Sequence, residues 1–74
     1  MTLDEITALV RTALKTRHAP IDVVESGIQK DGDWWYVPVD GAQNFPNTYQ
    51  YYELLADIEG ELEDEVNVLL VPAA

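Results

Sequence analysis

Residues 21–39 have the sequence IDVVESGIQKDGDWWYVPV, which says more about the fold than any other segment. Asp31-Gly32 lies near its middle. This dipeptide favours a two-residue type I′ turn, in which both central residues need a positive φ. The segments on either side are rich in β-branched and aromatic residues, which favour strands. The stretch therefore predicts a β-hairpin that turns at Asp31-Gly32.

The position of the turn sets which residues of the two predicted strands face each other. With Asp31 and Gly32 as the loop, three pairs share one mostly apolar face: Ile28 with Trp35, Ser26 with Val37, and Val24 with Val39. Successive side chains of a strand point to opposite faces, so we expect Trp34 and Tyr36 to point outward, away from the core. Pro38 has no N–H to donate to a ladder, which predicts that the second strand is an edge strand near its end.

The N-terminal segment has the pattern of an amphipathic helix. Thr2 and Glu5 have the spacing of a capping box, and apolar residues recur every three or four positions after them. Pro20 disfavours helical geometry at the residue before it. The sequence therefore predicts a helix over about residues 3–17.

The second half of the chain predicts another helix and a last strand. Asn47 is a favourable N-cap residue, and an apolar stripe at helical spacing begins at Tyr51. Gly60 interrupts this stripe, and we expect it either to end the helix or to allow close packing on the sheet. Residues 66–71 are mostly apolar and end at Pro72, which predicts a third strand buried on both faces or nearly so.

The element order is therefore α-β-β-α-β, in a single small domain that spans residues 1–74. It predicts an α+β fold with a three-stranded sheet and two helices packed on one face. At the level of element order, the whole chain resembles KH-type domains and the N-terminal domains of ribosome maturation factors. It has no GxxG loop for gripping a nucleic-acid backbone, so only the shape is compared and no function is carried over.

The charge distribution limits the classes of partner. The net charge is −10, and from Asp31 to the C-terminus there are ten acidic residues and no Lys or Arg. Such a surface repels nucleic acids and anionic membranes and attracts basic surfaces. The N-terminus lacks a basic and apolar signal pattern, and no apolar run approaches the ~20 residues that span a bilayer. We therefore expect a cytoplasmic protein that binds neither nucleic acid nor membrane.

Few residues in the chain suit catalysis, and none forms a recognisable motif. Ser26 and His18 are the only serine and histidine, and the chain has no cysteine. A nucleophile needs a base within hydrogen-bond reach, and nothing in the spacing of these two residues indicates such a pair. The acids of residues 59–65 lack the order of an EF-hand loop. We expect no catalytic residues, no cofactor, no metal site and no enzyme activity.

The candidate site is a protein-binding surface. Exposed Trp and Tyr are enriched at protein interfaces, so we expect Trp34 and Tyr36 to anchor a partner. Glu59, Glu61 and Glu63 would steer a basic partner and form the rim of the interface. In the alternative interpretation, Tyr36 lies opposite Gly27 and only covers a weak position of the hairpin.

These observations predict a non-enzymatic, acidic interaction module. Its partner would be a protein with a basic or partly apolar surface, or a second copy bound through the sheet. One alternative is an acidic inhibitor, similar to an antitoxin, that blocks a nucleic-acid-binding enzyme. A second alternative is an accessory domain in RNA-related or ribosome-related processes, which depends on the resemblance in shape alone.

Overall fold

The computed structural model describes residues 1–73, which form a mixed sheet with two helices. The elements are α1 (Leu3–Thr16), β1 (Asp22–Val23), β2 (Gln29–Asp31), β3 (Trp34–Asp40), α2 (Thr48–Leu62) and β4 (Asn67–Pro72), with 3-10 turns at Glu25–Gly27 and Ala42–Asn44. The predicted α+β fold is confirmed. It differs from the prediction in one element, because the first hairpin strand is split into β1 and β2.

The predicted caps at the start of both helices are present. In α1 the Glu5 N–H donates to the Thr2 hydroxyl at 3.2 Å, and the Thr2 N–H donates to the Glu5 carboxylate at 2.8 Å. In α2 the Gln50 N–H donates to the Asn47 side chain at 2.8 Å. These bonds satisfy N–H groups that have no partner within the helix. The Thr2 backbone N–H and side chain together lower the pKa of Glu5 below its usual value.

The end of α1 is a Schellman motif with His18 at its left-handed position. His18 has a φ of 53°, and its N–H donates to the Lys15 carbonyl at 3.0 Å. The Ala19 N–H donates back to the Leu14 carbonyl, also at 3.0 Å. This pair of bonds is the standard Schellman pattern, in which the left-handed residue is usually glycine. His18 therefore has a structural role through its backbone.

β3 is the central strand, and the prediction of an edge strand at Pro38 is wrong. β1 and β2 pair antiparallel with one side of β3, and β4 pairs parallel with the other. The sheet tolerates Pro38 because its nitrogen points to the side of β3 where the pairing is interrupted between β1 and β2. The Val24 N–H donates to the Pro38 carbonyl at 2.9 Å, which shows that Pro38 faces the side where the 3-10 turn leaves the sheet.

The predicted hairpin register is also wrong, by two residues. The observed pairs are Gln29 with Tyr36, Lys30 with Trp35, and Asp31 with Trp34, so the loop is Gly32-Asp33. Gly32 has a φ of 61° and Asp33 has no positive φ. Glycine at the first central position alone is the pattern of a type II′ turn. The shift is an even number of residues, so the two faces of β3 remain as predicted.

The split in the first hairpin strand changes which of its residues reach the core. Val23 is buried, whereas Val24 and Ile28 are only half-buried and Ser26 is exposed. Five residues lie between the last pair of β1 and the first pair of β2, against two on β3. The extra residues form the turn Glu25–Gly27, which carries Ser26 out of the sheet.

Both helices pack on one face of the sheet, as predicted. The core combines apolar residues of α1 and α2 with the inward side chains of the strands. Its buried members include Ile6, Val10, Val37, Val39, Leu55, Ile58, Val68 and Leu70. Tyr51 is also buried there, and its hydroxyl donates to the Val39 carbonyl at 3.5 Å.

Two further expectations about the second half of the chain are wrong. α2 continues through Gly60 to Leu62, and a Cβ added at Gly60 would meet no atom within 4 Å. Gly60 therefore neither ends the helix nor allows close packing. β4 is buried on one face only, since Leu69 and Val71 are exposed on the other.

Candidate functional site: an apolar sheet face with an acidic groove

The second face of the sheet is not covered by either helix, and its part on β3 and β4 is mostly apolar. It carries Trp34, Tyr36 and Pro38 of β3 and Leu69 and Val71 of β4, and we call these five residues the open face. Trp34 is 46% exposed, Leu69 42% and Val71 37%, while Tyr36 and Pro38 are half-buried. The exposed side of a half-covered sheet is normally polar. The apolar character of this face is therefore unusual.

The parallel pairing of β3 and β4 makes the open face continuous. Tyr36 is aligned with Leu69, and Pro38 with Val71. Neighbouring side chains on adjacent strands are close enough to pack together. Trp34 stands at one end of the same row and is aligned with Asn67. The result is an apolar strip two strands wide, with a polar group at the end that holds Trp34.

Trp34 and Tyr36 point outward, where the sequence places them, although their role in binding stays a prediction. The proposed cover of Gly27 by Tyr36 is not formed, because Tyr36 pairs with Gln29. Gly27 instead packs on the ring of Pro38, where an added Cβ would lie 2.8 Å from the Pro38 Cγ. Covering a weak hairpin position therefore does not explain why Tyr36 is on this face.

Sequence reasoning missed Leu69 and Val71 as members of the open face. The segment Val68-Leu69-Leu70-Val71 is apolar throughout, so it has no alternation from which an exposed side could be recognised. The polar neighbour Asn67 gave a weak signal, because its position has the same parity as Leu69 and Val71. Only the pairing with β3 shows which side chains of β4 lie beside Tyr36.

The three acids predicted to form a rim do not lie together. Glu61 faces α1, where Arg17 donates to its carboxylate from Nη2 at 2.9 Å and from Nε at 3.1 Å. Glu59 lies on the β4 side, and its carboxylate accepts the Leu70 N–H at 3.2 Å. Glu63 is exposed at the end of α2, near Glu59. Glu59 and Glu63 therefore share one surface, and Glu61 belongs to another.

A groove lies where the end of α2 meets the start of β4, and we call it the corner groove. It has a volume of about 380 Å³. Its lining includes Trp34, Glu59, Gly60, Glu63, Asn67 and Leu69. Trp34 and Leu69 also belong to the open face, so the groove is continuous with that face. An aromatic ring and two carboxylates thus border one depression at the end of the apolar strip.

The basic side chains are held on other parts of the surface. Arg11 donates to Asp22 at 3.1 Å and to Glu25 at 2.6 Å. The pKa of Asp22 is lowered, chiefly by the hydrogen bond from the Val23 N–H and then by Arg11. The Lys30 ammonium lies 5.4 Å from the centre of the Trp35 ring. No Lys or Arg lines the corner groove, so its two carboxylates have no basic neighbour in the lining.

Other kinds of site find no support in the described part of the chain. In residues 1–73, no group of three or more acidic or histidine side chains is placed to hold a metal ion. No helix in this part of the chain is both long and apolar enough to cross a membrane. The chain matches no protein-family model, no curated protein and no solved structure. Function therefore has to be inferred from the surface alone.

Proposed function

We propose that this protein is a non-enzymatic interaction module that binds a protein partner through the open face. The observation that carries the proposal is the uncovered apolar strip formed by Trp34, Tyr36, Pro38, Leu69 and Val71. Apolar patches with a polar border mark interaction sites on soluble proteins. Trp and Tyr are also the residues that most often contribute large shares of binding energy at such sites.

The charges near the open face support a partner with basic groups. Asp31 and Asp33 lie at the hairpin loop next to Trp34, and Glu63 lies in the groove at the same end. A net charge of −10 adds a long-range field that speeds the approach of a basic protein. The same field disfavours a second copy of the chain, because two such surfaces would repel each other.

Nucleic acid is a poorer match to this surface. Aromatic platforms that stack bases are accompanied by Lys and Arg along the backbone path. Gln29 and Asp31 of β2 are aligned with Tyr36 and Trp34 on the same side of the sheet, so this border of the open face carries an acid and no base. This argues against the RNA-related role that the element order suggested.

The second candidate, an inhibitor of a nucleic-acid-binding enzyme, is favoured by the same charge distribution. The ten acids from Asp31 onward, with no base among them, could occupy a basic site that normally binds phosphates. It is a special case of the same proposal, since the partner would still contact the open face. A competition experiment separates it: the captured partner would lose its nucleic acid when this protein is added.

The proposed function is tested by capture of partners with three baits. The first is the parent protein, and the second carries Leu69→Asn and Val71→Thr on the open face. The third carries Tyr49→Ser, which removes an apolar residue that is 73% exposed and lies outside the open face. We expect a partner that binds the first and third baits and not the second, and whose affinity falls about thirtyfold with Trp34→Ala. Equal retention by all three baits would contradict the proposal.

A further inference from the structure

We infer that the corner groove receives an arginine side chain of the partner, an inference that rests on the proposed function. The groove joins the end of the open face, so a protein lying on that face would pass over it. The occupant is therefore expected to belong to the same partner surface. The groove would select a partner that carries a correctly placed arginine, while the open face provides most of the contact area.

Two carboxylates are placed to bind a cation from one side. Glu59 and Glu63 are four residues apart on helical backbone, so their side chains lie on the same face of α2. The Oε2 atom of Glu59 accepts the Leu70 N–H at 3.2 Å, which fixes the position of this carboxylate. A carboxylate has acceptor sites on both oxygens, so Glu59 keeps its Oε1 for a further donor. Glu63 is exposed and adds a second acceptor.

Other parts of the lining also suit a planar cation. Trp34 lines the groove, and the face of an indole ring attracts a cation within about 6 Å. Gly60 contributes no side chain, and a Cβ at that position would meet nothing within 4 Å. The groove is therefore open where Gly60 lines it. A guanidinium can stack on an aromatic ring and donate to carboxylates at the same time, which an ammonium cannot do in the same geometry.

Residues 1–73 place no Lys or Arg side chain in the groove. Its lining contains no Lys or Arg, while Arg11 and Arg17 are paired elsewhere and Lys30 lies against Trp35. A second copy is a poor source of the cation, since each copy carries a net charge of −10. Charge complementarity therefore points to a different, basic protein.

The test is a titration of the full, isotope-labelled chain, followed by NMR at low salt. The probe is N-acetyl-arginine methylamide, and its control is the neutral isostere N-acetyl-citrulline methylamide. We expect arginine, and not citrulline, to give saturable shifts at the Trp34 indole N–H and the Asn67 side-chain amide. The double variant Glu59→Gln with Glu63→Gln should bind the probe roughly fivefold more weakly, because two partly exposed charge contacts are lost. The Glu59→Gln change keeps a side-chain oxygen that can accept the Leu70 N–H, so the fold is kept.

A matched charge control uses Asp64→Asn with Glu65→Gln, which removes two acids outside the groove lining. This variant should bind arginine as the parent does. Equal weakening by both double variants, or shifts without saturation across all acidic segments, would overturn the inference. If the bait with Leu69→Asn and Val71→Thr loses the partner but no arginine site is found, the groove inference alone is overturned. Arginine binding at the groove, with all three baits retaining the same partners, would refute the proposed function alone.

Discussion

The Glu59 carboxylate of α2 accepts a hydrogen bond at 3.2 Å from the backbone N–H of Leu70 in β4. β4 is an edge strand, and the backbone N–H of Leu70 points to its outer, unpaired side. The Ala73 N–H donates inward to the Val39 carbonyl at 2.8 Å, so the N–H groups of odd-numbered residues face β3 and those of even-numbered residues face outward. Pro72 has no N–H to offer on that outer side. At Leu70 and Pro72, the outer side of β4 therefore offers no free backbone N–H with which another strand could pair.

This relationship predicts that Glu59→Ala will expose the edge of β4. The Leu70 N–H would lose its partner, which should lower the free energy of unfolding by about 1 kcal/mol. The freed edge should also favour self-association at high protein concentration. Urea unfolding and sedimentation would measure the two effects. Glu59→Gln keeps an acceptor and serves as the control; if it associates as readily as Glu59→Ala, the carboxylate does not protect the edge.

The neighbouring tryptophans should respond in opposite ways to truncation. Trp35 is 8% exposed and packs in the core, so Trp35→Ala should lower stability by about 3–5 kcal/mol. Trp34 is 46% exposed on the open face, so Trp34→Ala should change the unfolding midpoint little. Chemical denaturation of both variants tests the assignment of the two faces of β3. Similar losses in both would contradict it.

Gly60→Ala should stabilise the protein by about 1 kcal/mol. Gly60 lies inside α2 with no atom near the position of a Cβ, so alanine improves helix propensity without a clash. Gly41 is the contrasting position. It has a φ of 141°, and an added Cβ would lie 2.5 Å from Ile21 Cγ2, so Gly41→Ala should destabilise the fold. Thermal melting of both variants is the measurement, and a loss of stability in Gly60→Ala would refute the prediction.

His18→Gly should also raise stability, by about 1 kcal/mol. His18 holds a left-handed backbone at the end of α1, a conformation that glycine adopts without steric strain. His18→Ala is the control, because it removes the imidazole and keeps the strain. A melting temperature that falls in His18→Gly would show that the imidazole itself stabilises the helix end.

Stability should decrease in acid in a way that depends on Asp22. The folded-state pKa of Asp22 is lowered, first by the Val23 N–H and then by Arg11. A lowered carboxyl pKa stabilises the fold above the unfolded value of about 4, and this contribution is lost as the pH falls through the folded value. Asp22→Asn should therefore flatten the fall of the urea midpoint below about pH 4. Asp64→Asn makes the same charge change away from Arg11, and an equal flattening there would contradict the assignment.

The starts of the helices, the outward side of β3 and the charge of the surface could be predicted from the sequence. The capping residues Thr2 and Asn47 fix where α1 and α2 begin, because their side chains bond to N–H groups a few residues away. Trp34 and Tyr36 could be assigned to the face of β3 opposite the Trp35 side chain, because side chains alternate between the two faces along a strand. These features depend on near neighbours in the chain, so one sequence is enough to recognise them.

The register, the order of the strands and the composition of the site depend instead on contacts between distant parts of the chain. The hairpin loop is Gly32-Asp33 and not Asp31-Gly32. The strand before it is interrupted by a 3-10 turn beside Pro38, and this interruption lets a proline stand in a central strand. Leu69 lies on the open face because it is aligned with Tyr36 of β3, a strand far from it in the sequence. Glu59 and Glu61 point to different sides of α2 because they are two residues apart on a helix, but only the tertiary structure supplies their partners, the Leu70 N–H and Arg17. Contacts between distant segments select among arrangements that local preferences allow equally, and the candidate site is made of such contacts.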